Sequence, residues 1–397
     1  MTSPQDEQGG KPAKTGRRGF LKILAGGTIL AASGIGLFAA TRTPNKALEP
    51  WKLALGPSPQ IDPRRVILSH AILAPNPHNR QPWIVDLKGE NEIVLYCDLD
   101  RRLQHTDPYD RQITIGLGCF LELADITARE LGLRAEINLF PDGENFPRLD
   151  QRPVAKIQLS PGESTTDPLF KMIFDRRSNK DPYDPKRSVP EDSVKQIIAA
   201  GKHGTFVGSS LEPGQVERLR SNAWSAMETE LHTYRTAKES IDLLRIGKAE
   251  IEANPDGIDL GGALFDTLKA LGLMNRKEFL DTSSSAFQQQ IDAIREPFEL
   301  ASGFLYVKTS GNSRKDQIAA GRDYVRLNLM ATKLGVAMQP WSQALQEFEE
   351  VKPYYARIRE ELGIASSETL QMFSRIGYGQ SIAPSPRWAY ETRIRNS

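Results

Sequence analysis

Two segments of the chain, GCFLELADITARELG (Gly118–Gly132) and GRDYVRLNLMATKLG (Gly321–Gly335), carry one pattern. Apolar residues match at Leu121 and Tyr324, Ala124 and Leu327, Ala128 and Ala331, and Leu131 and Leu334. That spacing of 0, 3, 7 and 10 lines one face of a helix. Each segment closes on Leu-Gly, and glycine is the common residue just past a helix end. The surroundings repeat as well. In the first half RRVILSHAIL leads into the loop APNPHNRQPW, then a strand-like EIVLYCDL, then the helix. In the second half VPEDSVKQIIAAG reads as a helix, KHGTFVGSSL stands in place of the loop, and GFLYVKTS precedes the second repeat helix. The unit helix, loop, strand, helix therefore occurs twice.

The copies differ in what they add. The first keeps Ala74–Trp83, whose three prolines rule out a helix or a central strand and leave a shaped loop. The second has lost that loop and carries FDRRSNKDPYDP (Phe174–Pro185) together with a mostly helical insert over about 211–300, with NPDGIDLGG in its middle.

The N-terminus reads as an address. A polar stretch precedes RRGFLK (Arg17–Lys22), and an apolar run follows from Ile23 to Ala40. A charged region followed by an apolar one is an export signal, and the adjacent arginines resemble the twin-arginine type, read by its translocase. Leu37 and Phe38 sit at the −3 positions for cuts after Ala39 and Ala40, so either cleavage or an uncleaved tether to the inner membrane is open. Residues 41–60, rich in Pro, Thr and Asn, read as a linker. The expected location is periplasmic or exported.

With 51 basic and 50 acidic residues the net charge is +1, which gives no basic surface for nucleic acid. Cys97 and Cys119 read as buried free thiols, and the five histidines show no metal-ligand spacing.

Three motifs in order carry a family resemblance. Arg176-Arg177-Ser178 with Lys180 resembles the N-terminal RRS motif of the nitroreductase-like flavoproteins. Asn79-Arg80-Gln81-Pro82-Trp83 resembles their N-x-Q-P-W loop. GYGQSIAPSPR (Gly377–Arg387) resembles their closing segment with its phosphate-binding arginine. The duplication and the tail are similar to the two-lobed branch typified by the mycobacterial Acg proteins. The resemblance implies an α+β fold of two fused pseudo-repeated lobes, 61–165 and 166–397, each a central sheet packed by helices. It also implies one flavin mononucleotide (FMN) between them, since a fused dimer needs each motif only once. Such a chain could act as a monomer.

Residue roles follow from that resemblance. Arg176, Arg387 and Lys180, with Arg177 second, would hold the phosphate, because a guanidinium meets a phosphate with two donors. Ser178 would bond the ribityl chain or phosphate. Asn79 and Gln81 would meet the pyrimidine edge, since an amide both donates and accepts, with Pro75, Asn76 and Pro77 shaping the loop. Trp83 reads as core. In VAMQPWSQ, a backbone N–H within the segment Pro340, Trp341, Ser342 and Gln343 would face flavin N5, although this chain has Ser342-Gln343 where many relatives have Glu-Gly. His78 and Tyr378 are proton-donor candidates, more readily structural. Residues 98–111 read as a loop of ion pairs rather than a second phosphate site, and NPDGIDLGG could form a lid. The expected activity is two-electron transfer through the flavin to a small acceptor such as a nitroaromatic or quinone, from a donor left open. The alternatives are a protein that binds or sequesters a covered flavin, and a structural lobe pair without flavin.

Overall fold

A computed structural model describes residues 42–395, apart from 53, 54, 57, 59, 163 and 164. The expected export signal lies outside the described residues. The first half contains α1 (Asn45–Leu48), α2 (Pro63–Ala71), β1 (Trp83–Lys88), β2 (Glu92–Cys97), α3 (Arg111–Glu130), β3 (Leu133–Leu139) and β4 (Ala155–Pro161). The second begins with α4 (Glu191–Ile198) and β5 (Phe206–Ser210). After an insert it continues with β8 (Gly303–Thr309), α10 (Arg314–Lys333), β9 (Ala337–Pro340), α11 (Lys352–Glu361) and β10 (Thr369–Gly377). The insert holds α5 (Pro213–His232), α6 (Tyr234–Asp242), β6 (Leu244–Ile246), α7 (Gly247–Ala253), β7 (Ile258–Leu260), α8 (Ala263–Ala270) and α9 (Ser285–Glu299).

The fold is α+β, with two four-stranded antiparallel sheets. One runs β1-β2-β4-β3 and the other β5-β8-β10-β9, each in the order first, second, fourth, third. The turn joining β1 to β2 is only three residues long, Gly89 to Asn91; at the matching place between β5 and β8 stands the whole insert. The second half is thus the first with one hairpin turn expanded, which a sheet tolerates because a turn points away from the core.

The two repeat helices, α3 and α10, lie at the centre. Local chemistry bounds them. Ser313 and Asp316 form a capping box at the start of α10. Gly132 (φ 71°) and Gly335 (φ 68°) take the left-handed conformation just past the two C-termini. Both helices are buried along most of their length and cross at Gly118 and Gly321. A Cβ on Gly321 would lie 2.8 Å from the Ile115 carbonyl carbon and 3.0 Å from the Gly118 Cα. One on Gly118 would lie 3.0 Å from the Ile318 Cα and 3.1 Å from the Gly321 Cα. The contacts are reciprocal, as at a two-fold interface, where residue i meets j and j meets i.

The same reciprocity holds at the helix starts. Arg111, first in α3, donates to the carbonyls of Leu345 and Gln371 in the second half, at 2.5 and 2.9 Å. Arg314, first in α10, donates to those of Asn145 and Pro147 in the first half, both at 2.9 Å. One apolar core spans both halves; a second, around Phe298, Phe304, Trp341 and Phe373, lies under the insert. Trp83 is fully buried, and Cys97 and Cys119 are free and buried, with burial pushing both thiols up.

The stretch expected as a linker is partly built into the body. Asn45–Leu48 and Glu49–Trp51 form helical turns, and Ala47, Leu48 and Trp51 are buried. No helix among the described residues is long and apolar enough to cross a membrane.

Candidate functional site

The loop after α2 is wound tightly. His78, Asn79 and Gln81 have φ of 46°, 50° and 50°, left-handed values that non-glycine residues adopt at a cost and that cluster at functional sites. Asn76 holds the turn. Its side-chain oxygen accepts from the Gln81 N–H at 2.7 Å and its amide donates to the Ala74 carbonyl at 3.1 Å. Asn76 and Pro77 pack on Gly116 of α3, where a Cβ would come within 3.0 and 3.3 Å of them.

Three arginines from distant parts of the chain converge behind this loop. Arg176 donates to Asn328 Oδ1 at 3.0 Å and to the Leu73 carbonyl at 2.9 Å. Arg387 donates to the Ile72 carbonyl at 3.0 Å, the Ala74 carbonyl at 3.2 Å and Asn79 Oδ1 at 2.5 Å. Arg177 donates to the Phe174 and Arg176 carbonyls at 2.6 and 2.8 Å. Every one of these bonds goes to a carbonyl or amide oxygen. Among the described residues no carboxylate is in ion-pair contact with any of the three. The Nε atoms of Arg176 and Arg177 are buried without a partner. Burial, reinforced by the other guanidiniums, lowers Arg176 to about 10 and Arg387 to about 9. A buried cation without an ion-pair partner is costly; Asp259 and Asp175 act on Arg387 and Arg177 only through their charge, without ion-pair contact.

The matching place in the other half is chemically closed. At the end of α4, Asp323 accepts from the N–H groups of Lys202 and His203 at 2.6 and 2.9 Å and from the Thr205 hydroxyl at 2.7 Å. Glu122 pairs with Arg322 and Arg326, each at 2.7 Å, and with His203 at 2.8 Å; Arg326 also meets Asp167 at 2.9 Å. Cations and anions balance there, and these neighbours hold Glu122 far below the usual carboxylate range despite its burial.

The remaining expected residues divide. Lys180 is exposed, and its charge reaches His78 and Asp259. Ser178 faces the buried Tyr324 phenol on α10. Pro75, Asn76 and Pro77 shape the loop.

Asn79 and Gln81 do not present open amides, as a ring edge would require. Asn79 Nδ2 donates to the Pro386 carbonyl at 3.0 Å. Gln81 Nε2 donates to the Pro255 carbonyl at 2.7 Å, and Gln81 Oε1 accepts from the Trp388 N–H at 3.0 Å. A buried amide must find partners, and the tail and the insert supply them here. The insert closes further through the Gly257 N–H to the Asn79 carbonyl at 3.3 Å. Asp256 pairs with Arg101 and Arg245, each at 2.8 Å, and lies 3.7 Å from Arg80. NPDGIDLGG therefore sits on the loop.

The segment Pro340–Gln343 differs from expectation as well. The Trp341 N–H donates to the Phe373 carbonyl at 2.8 Å, and its ring stacks on Phe298 at 3.8 Å in the second core. That N–H is spent on the sheet; Ser342 and Gln343 follow where the ladder has ended, and Gln343 bonds Glu230. In the preceding strand β9, the Met338 carbonyl accepts from the Asn179 N–H at 3.1 Å. His78 is lowered to about 4 by burial, with Lys180 and Arg80 adding to the effect against Glu239, so it is a neutral imidazole at pH 7. Tyr378 is stacked by Arg187 at 3.4 Å. Within 98–111, Arg101 pairs with Asp98 at 3.1 Å and Arg102 lies 3.6 Å from Asp110, while Asp107 accepts from the backbone N–H groups of Gln112 and Ile113.

Sequence reasoning missed Trp51, Asn328 and Pro386. Asn328 could have been found: it is a polar residue on the buried face of a repeat helix, and such a residue needs a partner.

Similarity to known proteins adds a frame. Two Mycobacterium tuberculosis proteins that carry the name NAD(P)H nitroreductase, Rv3131 and MT3217, are each 32% identical over 84 residues, 21% of this chain. That match spans about a quarter of the length of those relatives, 24%. Among solved structures, the FMN-dependent nitroreductase NfnB from Mycobacterium smegmatis in complex with NADPH aligns at 18% identity and a TM-score of 0.37, covering 57% of this chain and 96% of that one. A nitroreductase with bound FMN from Bacteroides fragilis aligns at 15% identity and a TM-score of 0.31, covering 55% and 91%. The family model described as "Nitroreductase family" matches residues 173–378, just over half of the 397 residues, and by that measure the chain belongs to the nitroreductase family.

Proposed function

We propose that this protein is an FMN-dependent oxidoreductase of nitroreductase type with one composite cofactor site per chain. The observation that carries the reading is the cluster of Arg176, Arg177 and Arg387 against the end of α2, with Arg176 and Arg387 buried, Arg177 half-buried, no carboxylate among the described residues in ion-pair contact and two unpartnered Nε atoms. These residues fit a phosphate monoester, which offers several acceptors to a guanidinium at once. FMN supplies two-electron redox chemistry when bound. The chain's own contributions are distinct. The arginines would neutralise the phosphate, Ser178 and Tyr324 would stand beside them, and the strained loop would form the wall. The insert excludes water from that wall through Pro255, Asp256 and Gly257. The balanced ion pairs around Glu122 argue for one cofactor rather than two. The reciprocal α3–α10 crossing supplies both halves of the site within one chain, which supports a working monomer. The acceptor class is a small nitroaromatic or quinone, and Arg17-Arg18 would direct the protein out through the twin-arginine translocase.

A second reading, an FMN-binding or sequestering protein whose flavin does not turn over, is favoured by one observation: the insert already occupies the Gln81 amide. The visible spectrum of purified protein, before and after NADPH and dithionite, tests both. A flavin spectrum bleached by NADPH supports the enzyme. One bleached by dithionite alone supports the covered flavoprotein, and replacing 250–265 with a short Gly/Ser bridge should then restore reduction by NADPH. A colourless protein that takes up no FMN would refute both readings.

A further inference from the structure

Trp51 belongs to no motif, yet it stands at the centre of the arginine cluster. Its ring centroid lies 4.8 Å from the guanidinium carbon of Arg177, 5.3 Å from that of Arg387 and 5.9 Å from that of Arg176. The indole is 8% exposed. Two bonds stitch this N-terminal arm to the tail at Ser385 and Arg387. Trp51 Nε1 donates to the Ser385 carbonyl at 2.7 Å, and the Arg387 N–H donates to the Ala47 carbonyl at 2.9 Å. Three like charges crowd one place with no carboxylate among the described residues in ion-pair contact, although the charges of Asp259 and Asp175 reach Arg387 and Arg177. An indole face carries negative quadrupole density and attracts cations that approach within about 6 Å of its centre. It is also rigid, so it sets where the guanidiniums sit as well as offsetting part of their repulsion.

We propose that Trp51 forms one wall of the phosphate-ester site, holding Arg177 and Arg387 in the geometry that receives the ester and shielding the charge pair from water. The proposal rests on the reading of the cluster as an anion site. It extends the ligand-binding residues into a segment whose composition reads as a spacer. Because the arm acts at the phosphate end, its loss falls on ligands that carry phosphate and spares the flavin ring.

The test uses the full chain stripped of flavin and titrated with inorganic phosphate, FMN and riboflavin, for the wild type, Trp51→Ala and Trp51→Phe. Trp51→Ala is expected to weaken phosphate and FMN by roughly tenfold or more, the scale of a desolvated cation–π contact. Riboflavin binding should stay unchanged, and Trp51→Phe should recover most of the loss. Full phosphate affinity in Trp51→Ala would overturn the proposal. So would an equal loss of FMN and riboflavin, which would mark a general loosening that a thermal melt of each unliganded variant would also show. A wild type that binds phosphate through Trp51 but takes no FMN would sink the flavin reading and leave this inference standing. A wild type that binds neither ligand would sink both.

Discussion

Replacing Gly321 by alanine tests the central crossing. The added methyl would lie 2.8 Å from the Ile115 carbonyl carbon, nearer still to its oxygen, and 3.0 Å from the Gly118 Cα. All three atoms are backbone, so no side chain can swing away. Carbon atoms pack at about 3.5–4.0 Å, so α3 and α10 must part by roughly 1 Å. A gap of that size forfeits a quarter to a half of each dispersion contact, and a buried leucine makes about 40–60 of them at about 0.1–0.2 kcal/mol each. One such residue thus loses on the order of 2 kcal/mol, and several line this crossing, including Ile115, Leu121, Ile318 and Val325. Relaxation recovers part of it. The expected destabilisation is about 3 kcal/mol, the upper end for overpacking. FMN affinity should fall as well, since Arg176 reaches Leu73 across the same junction. Urea denaturation followed by circular dichroism measures the first effect, with Gly56→Ala as control, because a Cβ there meets nothing within 4 Å. A Gly321→Ala protein within about 0.5 kcal/mol of wild type would show that the reciprocal contact is not what joins the halves.

Other substitutions address the site and its surroundings. Arg176→Ala should weaken FMN by roughly 2–3 kcal/mol in a titration of apo-protein. Asn79→Ala should cost roughly 1 kcal/mol through the lost bond to Arg387; a larger effect at Asn79 than at Arg176 would contradict the phosphate assignment. Burial raises Glu230 to about 7, against its bonds from Gln346, Ser240 and Gln343. A carboxyl raised in the folded state stabilises below its unfolded value and loses that contribution as pH climbs through about 7. Relative to wild type, Glu230→Gln should therefore gain stability between about pH 4.5 and 7, by on the order of 3 kcal/mol. Parallel urea curves at pH 5 and 8 that do not diverge would refute this. Changing Arg17 and Arg18 together to Lys should trap folded protein in the cytoplasm. Protease protection on intact spheroplasts reads the outcome, and continued export would remove the twin-arginine assignment.

Periodicity and end residues alone determined the repeat, the two helices with their closing glycines, and the expanded insert, because these depend on neighbours within a few turns. The arginine motif and the tail were visible as charges, but nothing local says that Arg176 and Arg387 meet at the carbonyls ending α2. Only the fused pair of halves decides that, by crossing α3 over α10 at two glycines that lack side chains. The same long-range packing decided against three local expectations. The amides of Asn79 and Gln81 are complete, because buried polar groups take the nearest partners, here the tail and the insert. The Trp341 N–H is paired, because the chain leaving β9 makes one more bond to β10, at the Phe373 carbonyl. Trp51 lies in a stretch whose composition reads as a spacer. It is ordered because three arginines from elsewhere in the chain leave a charged hollow that an indole face can fill.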